Sequence, residues 1–128
     1  MPSILVVEDD EGAREALSDI LTEEGFEVRL AANGREALEQ LEGGMRPCVI
    51  LLDLVMPVMD GWEFRQRQLR HEGLAPIPVV VLTATTGDGP EAVPASDVLR
   101  KPVDFDALLA RVESYCVRRA EPQPPLPN

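Results

Sequence analysis

The middle of the chain reads Cys48-Val49-Ile50-Leu51-Leu52-Asp53, a continuous apolar run that ends in a carboxylate. Unbroken runs of valine, isoleucine and leucine are typical of strands that are buried on both faces, as in a parallel sheet. A second run of this kind, Ile4-Leu5-Val6-Val7, ends at Glu8 and Asp9. The two runs together predict that acidic side chains stand where neighbouring parallel strands end.

Three further segments are predicted to be strands, and helical patterns lie between most of the five. The clearest helix has an apolar stripe at the spacing of one helix face, whereas the third helix has only weak periodicity. The stripe consists of Ala13, Ala16, Leu17, Ile20 and Leu21, and the predicted strands are residues 4–7, 26–30, 48–52, 77–82 and 98–99. Strands that alternate with helices predict an α/β fold, a flavodoxin-like doubly wound five-stranded parallel sheet in the order 2-1-3-4-5.

The segment between the fourth and fifth strands is poor in helix-forming residues. It contains Gly87, Gly89, Pro90 and Pro94 within eight residues, and a proline inside a helix costs about 3 kcal/mol. We therefore predict that the fourth helix is short, distorted or absent.

The C-terminal residues 121–128 differ in composition from the rest of the chain. They hold four of the twelve prolines, which is typical of a disordered or extended tail or of the start of a linker. One domain is accordingly predicted over residues 1–120.

The charge of the chain argues against several classes of function. With 23 acidic and 12 basic residues, the net charge is −11, whereas a nucleic-acid-binding domain usually carries a basic patch. An acidic surface also disfavours adhesion to an anionic membrane, and no apolar run approaches the roughly 20 residues that span a bilayer. The N-terminus lacks the features of a signal peptide. We expect a cytoplasmic protein whose two cysteines, Cys48 and Cys116, are reduced core residues.

The residues that follow the strands suggest phosphoryl chemistry. The first strand is followed by Glu8 and Asp9, and the third by Asp53. The fourth strand is followed by Thr83. The fifth is followed by Lys101, the only lysine in a sequence that has eleven arginines. Ligands of open α/β sheets bind beyond these strand ends. Clustered carboxylates without histidine or cysteine suit a hard ion such as Mg²⁺, and an aspartate beside such an ion and a lysine can act as a nucleophile on a phosphoryl group.

At this point the sequence resembles the receiver domains of response regulators, the chemotaxis-receiver-like family of two-component signalling. Any one of the matching motifs is weak, but all four occur in order and each lies at a strand end. They are residues 4–10 (ILVVEDD), residues 52–61 with the pattern D-x-x-M-P-x-M-D-G, residues 81–84 (VLTA), and Lys101-Pro102. The resemblance covers about residues 3–118.

The resemblance implies a role for each matching residue. Asp53 is implied to be the phosphoacceptor, and Mg²⁺ to be held by Glu8, Asp9, Asp53 and the backbone carbonyl of Val55. A sensor histidine kinase or a phosphotransfer protein is the implied phosphodonor, and an unknown target protein or output domain receives the signal. Such a domain catalyses its own phosphorylation and dephosphorylation, although it is mainly a signalling switch.

The remaining implied roles concern the switch. Thr83 is implied to move toward the phosphoryl group and Lys101 to pair with it, with a cis bond expected before Pro102. The family usually carries an aromatic residue where this sequence has Val98, and a valine has no ring to reorient. This departure and the altered fourth helix keep an alternative open, a receiver fold that serves as a protein-interaction module without regulation by phosphorylation.

Four other residues are predicted to have structural or surface roles and no part in the chemistry. Asp10 is predicted to be the N-cap of the first helix, and Trp62 is predicted to be a partly buried packing residue. His71, the only histidine, is predicted to be solvated, and Arg14 to be a surface residue.

Overall fold

The computed structural model describes residues 3–53, 61–83, 97–100 and 103–120. The strands are β1 (Ser3–Val7), β2 (Glu27–Ala31), β3 (Val49–Asp53), β4 (Val79–Thr83) and β5 (Asp97–Arg100), and the helices are α1 (Glu11–Glu23), α2 (Gly34–Glu42), α3 (Gly61–Arg70) and α4 (Phe105–Ala120). None of the helices in these ranges is both long and apolar enough to cross a bilayer.

The five strands form one parallel sheet in the order β2-β1-β3-β4-β5, which confirms the predicted order. The bounds of the strands differ by one or two residues from the predicted ones. For example, β3 includes Asp53 and β4 includes Thr83. The predictions for the fourth helix and for the tail fall on residues 84–96 and 121–128, which lie outside the described ranges.

The sheet separates two apolar layers, and successive strand residues contribute to opposite layers because side chains alternate along a strand. Leu5, Val7, Ile50 and Leu52 face the layer that contains α2 and α3. The residues between them face the layer that contains α1 and α4. This second layer includes Ile4, Val6, Val49, Leu51, Leu17, Leu21, Leu108, Val112 and Cys116.

Local signals in the sequence explain where the helices begin and end. Asp10 is the N-cap of α1, as predicted, and its carboxylate accepts a hydrogen bond from the Ala13 N–H at 2.9 Å. Asn33 caps α2 in the same way through the Glu36 N–H. Gly25 follows α1 with a φ of 96°, a left-handed conformation that costs glycine little.

Helix α3 has weak periodicity because two polar side chains, Arg65 and Gln68, are buried on its inner face. The Arg65 guanidinium donates to the Gln68 side-chain oxygen at 2.8 Å, and the Gln68 amide donates to the carbonyls of Leu74 and Ile77. Burial lowers the pKa of Arg65 from its usual value. These bonds satisfy buried polar atoms that would otherwise destabilise the fold.

The two cysteines are core residues, as predicted, but the prediction that they are reduced is wrong. Cys48, directly before β3, and Cys116 on α4 form a disulfide with a Cα–Cα distance of 5.1 Å. Both side chains face the layer between the sheet and α4, where packing brings together two residues that are 68 positions apart in the chain.

Candidate functional site

The carboxyl ends of β1 and β3 bring three acidic residues together. The two strands are neighbours, and Val7 pairs with Leu52, so that Glu8 and Asp53 follow adjacent positions of the ladder. Carboxylate oxygens of Glu8, Asp9 and Asp53 lie within 4.8 Å of one another. The sequence predicted this group, and the structure places all three residues in it.

The three carboxylates differ in exposure. Glu8 and Asp53 are buried, with 2% and 6% of their surface exposed, whereas Asp9 is exposed. The cluster is therefore open to solvent on the side of Asp9 and enclosed by protein on the other side.

Main-chain hydrogen bonds hold Glu8 in place. The Glu8 N–H donates to the carbonyl of Ala31 at the end of β2, at 3.0 Å. The Glu8 carboxylate accepts a bond from the Asp10 N–H at 3.2 Å. Glu8 is thus fixed at both its backbone and its side chain, on the turn that leads into α1.

Arg14 contacts the same turn, a contact that the sequence pattern did not predict. Its side chain is partly buried, and its Nη1 donates to the backbone carbonyl of Glu8 at 2.9 Å and lies 3.4 Å from that of Asp9. The prediction of a surface role for Arg14 is therefore incomplete. Its position one turn after an N-cap is one sequence signal for this contact.

The chemistry of the cluster fits a hard divalent cation. Three negative charges at this separation repel one another, and a bound cation offsets that repulsion. All three groups offer carboxylate oxygens, the ligand type that Mg²⁺ prefers. The open side at Asp9 leaves room for water or a phosphate oxygen, which Mg²⁺ usually retains among its ligands.

The other predicted site residues are only partly described. Thr83 is the last residue of β4, one position beyond Leu82, which pairs with Asp53. The backbone therefore places Thr83 at the same edge of the sheet as the acidic group. Val55, Lys101 and the bond to Pro102 lie outside the described residues.

A cleft of about 500 Å³ adjoins the acidic group. Glu8 and Asp10 form its polar end, and its remaining lining comes from α1, from β4, from the start of α4 and from Val103 just before that helix. These remaining lining residues are apolar and comprise Ala13, Ala16, Leu17, Leu82, Val103 and Phe105. Phe105 is among the large apolar side chains that remain exposed.

Trp62 and His71 are placed as predicted. Trp62 is partly buried and packs against the layer that contains α2 and α3, and Val98 packs there as well. His71 is exposed, and its Nδ1 accepts a hydrogen bond from the Gly73 N–H at 3.2 Å.

Comparison with known proteins identifies the family. Residues 4–113 match the model of the response regulator receiver domain. The response regulator MprA of Mycolicibacterium vanbaalenii is 41% identical over 123 residues, which cover 93% of this chain and 52% of the relative. The chain belongs to the response-regulator receiver family of two-component systems, and it spans about half the length of the curated relatives it matches.

Solved structures agree with this assignment. The receiver domain of a signal transduction histidine kinase from Syntrophus aciditrophicus is 29% identical, with a TM-score of 0.86 and coverage of 100% of this chain and 98% of that one. The receiver domain of the sensor histidine kinase PA1611 from Pseudomonas aeruginosa is 28% identical, with a TM-score of 0.82 and coverage of 89% and 96%. That structure has a magnesium ion coordinated in its active-site cleft.

Proposed function

We propose that this domain is a phosphoacceptor switch in which Asp53 receives a phosphoryl group from a phosphohistidine. The observation that carries the proposal is the convergence of Glu8, Asp9 and Asp53, whose carboxylate oxygens lie within 4.8 Å of one another. Asp53 is buried beside two further carboxylates, and these negative charges repel an incoming phosphoryl group. A bound cation is needed to reduce this repulsion, and three carboxylate ligands suit Mg²⁺.

The metal site is proposed to consist of Glu8, Asp9, Asp53 and the backbone carbonyl of Val55. Family membership supports this assignment, as does the magnesium ion in the PA1611 receiver domain. When bound, Mg²⁺ would supply the positive charge that neutralises phosphoryl oxygens during transfer.

The proposed transfer is a displacement at phosphorus. A carboxylate oxygen of Asp53 attacks, an oxygen–phosphorus bond forms, and the nitrogen–phosphorus bond of the donor breaks. The leaving histidine nitrogen keeps the electron pair of that bond. The product is an acyl phosphate on Asp53, and its hydrolysis by water returns the carboxylate and inorganic phosphate.

Thr83 and Lys101 are proposed to convert phosphorylation into a change of conformation. A hydroxyl and an ammonium can each bond one phosphoryl oxygen, so that the phosphorylated state gains interactions which the free state lacks. The position of Thr83 at the end of β4, next to β3, supports this role. The proposed donor is a sensor histidine kinase or a phosphotransfer protein, and a target protein or output domain would respond.

The test is phosphorylation by acetyl phosphate with Mg²⁺, measured as phosphoryl incorporation into the intact protein. The wild-type chain should be labelled, and Asp53→Asn should not, because an amide is a poor nucleophile. Asp19→Asn, which removes an exposed carboxylate from α1, is the matched control and should be labelled like the wild type. Full labelling of Asp53→Asn would refute the assignment.

A second candidate function is a protein-interaction module that is not regulated by phosphorylation. The presence of Val98 at the position that usually carries an aromatic residue favours it. Trp62 fluorescence distinguishes the two functions, since a switch should respond to Mg²⁺ and then to beryllofluoride. An unregulated module should show no response to beryllofluoride.

A further inference from the structure

The Arg14 side chain contacts the main chain of Glu8 and Asp9, and the proposed function gives it no role. We infer that Arg14 is a positioning residue for the metal site. It holds the backbone of Glu8 and Asp9 so that their carboxylates stay close enough to share one divalent cation. This inference rests on the proposed function, because it presupposes that the acidic cluster binds Mg²⁺.

Arg14 bonds main-chain acceptors rather than carboxylates. The Arg14 guanidinium bonds backbone carbonyl oxygens, at 2.9 Å for Glu8 and 3.4 Å for Asp9. It therefore fixes the turn without occupying the carboxylate oxygens that a metal needs. Hydrogen bonds from a charged donor are stronger than neutral ones, so that a single side chain can restrain two consecutive residues.

Arg14 itself lies on a part of α1 that is held by hydrogen bonds. Its own N–H donates to the Asp10 carbonyl at 2.9 Å, which is the first hydrogen bond of α1. The Asp10 carboxylate caps the same turn through the Ala13 N–H. The guanidinium thus reaches back from a fixed helix end to the turn that carries the acids.

The positioning role of Arg14 and its positive charge predict opposite effects on Mg²⁺ binding. A guanidinium near the site repels an incoming cation, so that removing it would strengthen Mg²⁺ binding if charge alone mattered. If Arg14 orders the ligands, its removal weakens binding. Residues that orient metal ligands typically contribute 10- to 100-fold to metal affinity, and the direction of the change therefore identifies the role.

The experiment measures the Mg²⁺ affinity of the folded protein by Trp62 fluorescence, with titration calorimetry as a second readout. Arg14→Gln should bind Mg²⁺ about tenfold more weakly than the wild type. Arg14→Lys keeps the charge and a hydrogen-bond donor but lacks the planar guanidinium. Its Mg²⁺ affinity should lie between those of the wild type and Arg14→Gln. The matched control is Arg29→Gln, which removes an exposed guanidinium from β2 and should leave the affinity unchanged.

Equal or tighter Mg²⁺ binding by Arg14→Gln would overturn the inference while leaving the proposed function intact. A wild-type chain that fails to bind Mg²⁺ would overturn both, and the two failures are therefore distinguishable. Thermal unfolding of each variant shows whether it is folded. If Arg14→Gln does not fold, Arg14→Lys decides the question, because weaker binding supports positioning and equal or tighter binding refutes it.

Discussion

The two edges of the sheet have opposite chemistry. At the carboxyl edge, the carboxylates of Glu8, Asp9 and Asp53 are held within 4.8 Å of one another. At the amino edge, the Cys48 N–H donates to the Ser3 carbonyl at 2.8 Å, and the Cys48 sulfur is bonded to Cys116. Strands of five residues separate these edges by about 16 Å.

This difference shows how a small domain can separate stability from function. The carboxyl edge concentrates negative charge, and a bound cation would offset the resulting repulsion. The amino edge adds a covalent bond between the sheet and α4. We expect changes at the amino edge to have the largest effect on the free energy of unfolding, and changes at the carboxyl edge to alter ligand binding and, by smaller amounts, stability.

The largest expected effect on stability follows reduction of the disulfide. The bond joins residues separated by 68 positions, and closing a loop of this length stabilises a fold by about 4 kcal/mol in the chain-entropy model. Urea unfolding with and without reductant should show this loss of unfolding free energy. The reduced Cys48 thiol would have the Ser3 carbonyl oxygen, 3.2 Å away, as an acceptor.

Mg²⁺ affinity, measured on the same two samples while they are folded, is the control for this prediction. It should differ by less than a factor of about two, since additivity holds for sites that are well separated. A larger difference would show that the two edges are coupled, and equal unfolding midpoints would show that the disulfide does not stabilise the fold.

The next largest effect is stabilisation by the metal. A ligand that binds only the folded state, at 100 times its dissociation constant, stabilises that state by about 2.7 kcal/mol. Mg²⁺ should raise the unfolding free energy by this amount in oxidised and reduced protein alike. Sodium chloride at matched ionic strength controls for screening. The same increase in Asp53→Asn would place the effect outside the acidic cluster.

The smallest predicted effect is a gain of stability in Asp53→Asn without metal. Asp53 is buried beside two other carboxylates, so that removing its charge relieves repulsion and should raise the unfolding free energy by about 1 kcal/mol. Urea unfolding in the presence of a chelator measures this change, with Asp19→Asn as control. A loss of stability would show that other interactions of Asp53 outweigh the repulsion.

Much of this molecule could be predicted from the sequence because strand burial and strand ends leave local signals. Residues 48–53 and 4–9 indicate two buried strands that end in acids, and parallel pairing then brings those acids together. The third helix was harder to predict because Arg65 and Gln68 occupy buried positions where a helix usually carries apolar residues.

Two features depended on contacts that no local pattern encodes. The pairing of Cys48 with Cys116 follows from the packing of α4 on the sheet, and the reduced state expected from the cellular compartment is wrong. The contact of Arg14 with the Glu8 and Asp9 carbonyls depends on the path of one turn. Spacing in the sequence shows only that Arg14 lies close to the acids.

The most direct test of the account is to locate the phosphoryl group on the wild-type chain. After treatment with acetyl phosphate and Mg²⁺, borohydride reduction converts an acyl phosphate on aspartate to homoserine, which mass spectrometry of peptides can map. We predict homoserine at position 53, and none when Mg²⁺ is removed by a chelator. Modification at another carboxylate, or equal modification without Mg²⁺, would contradict it.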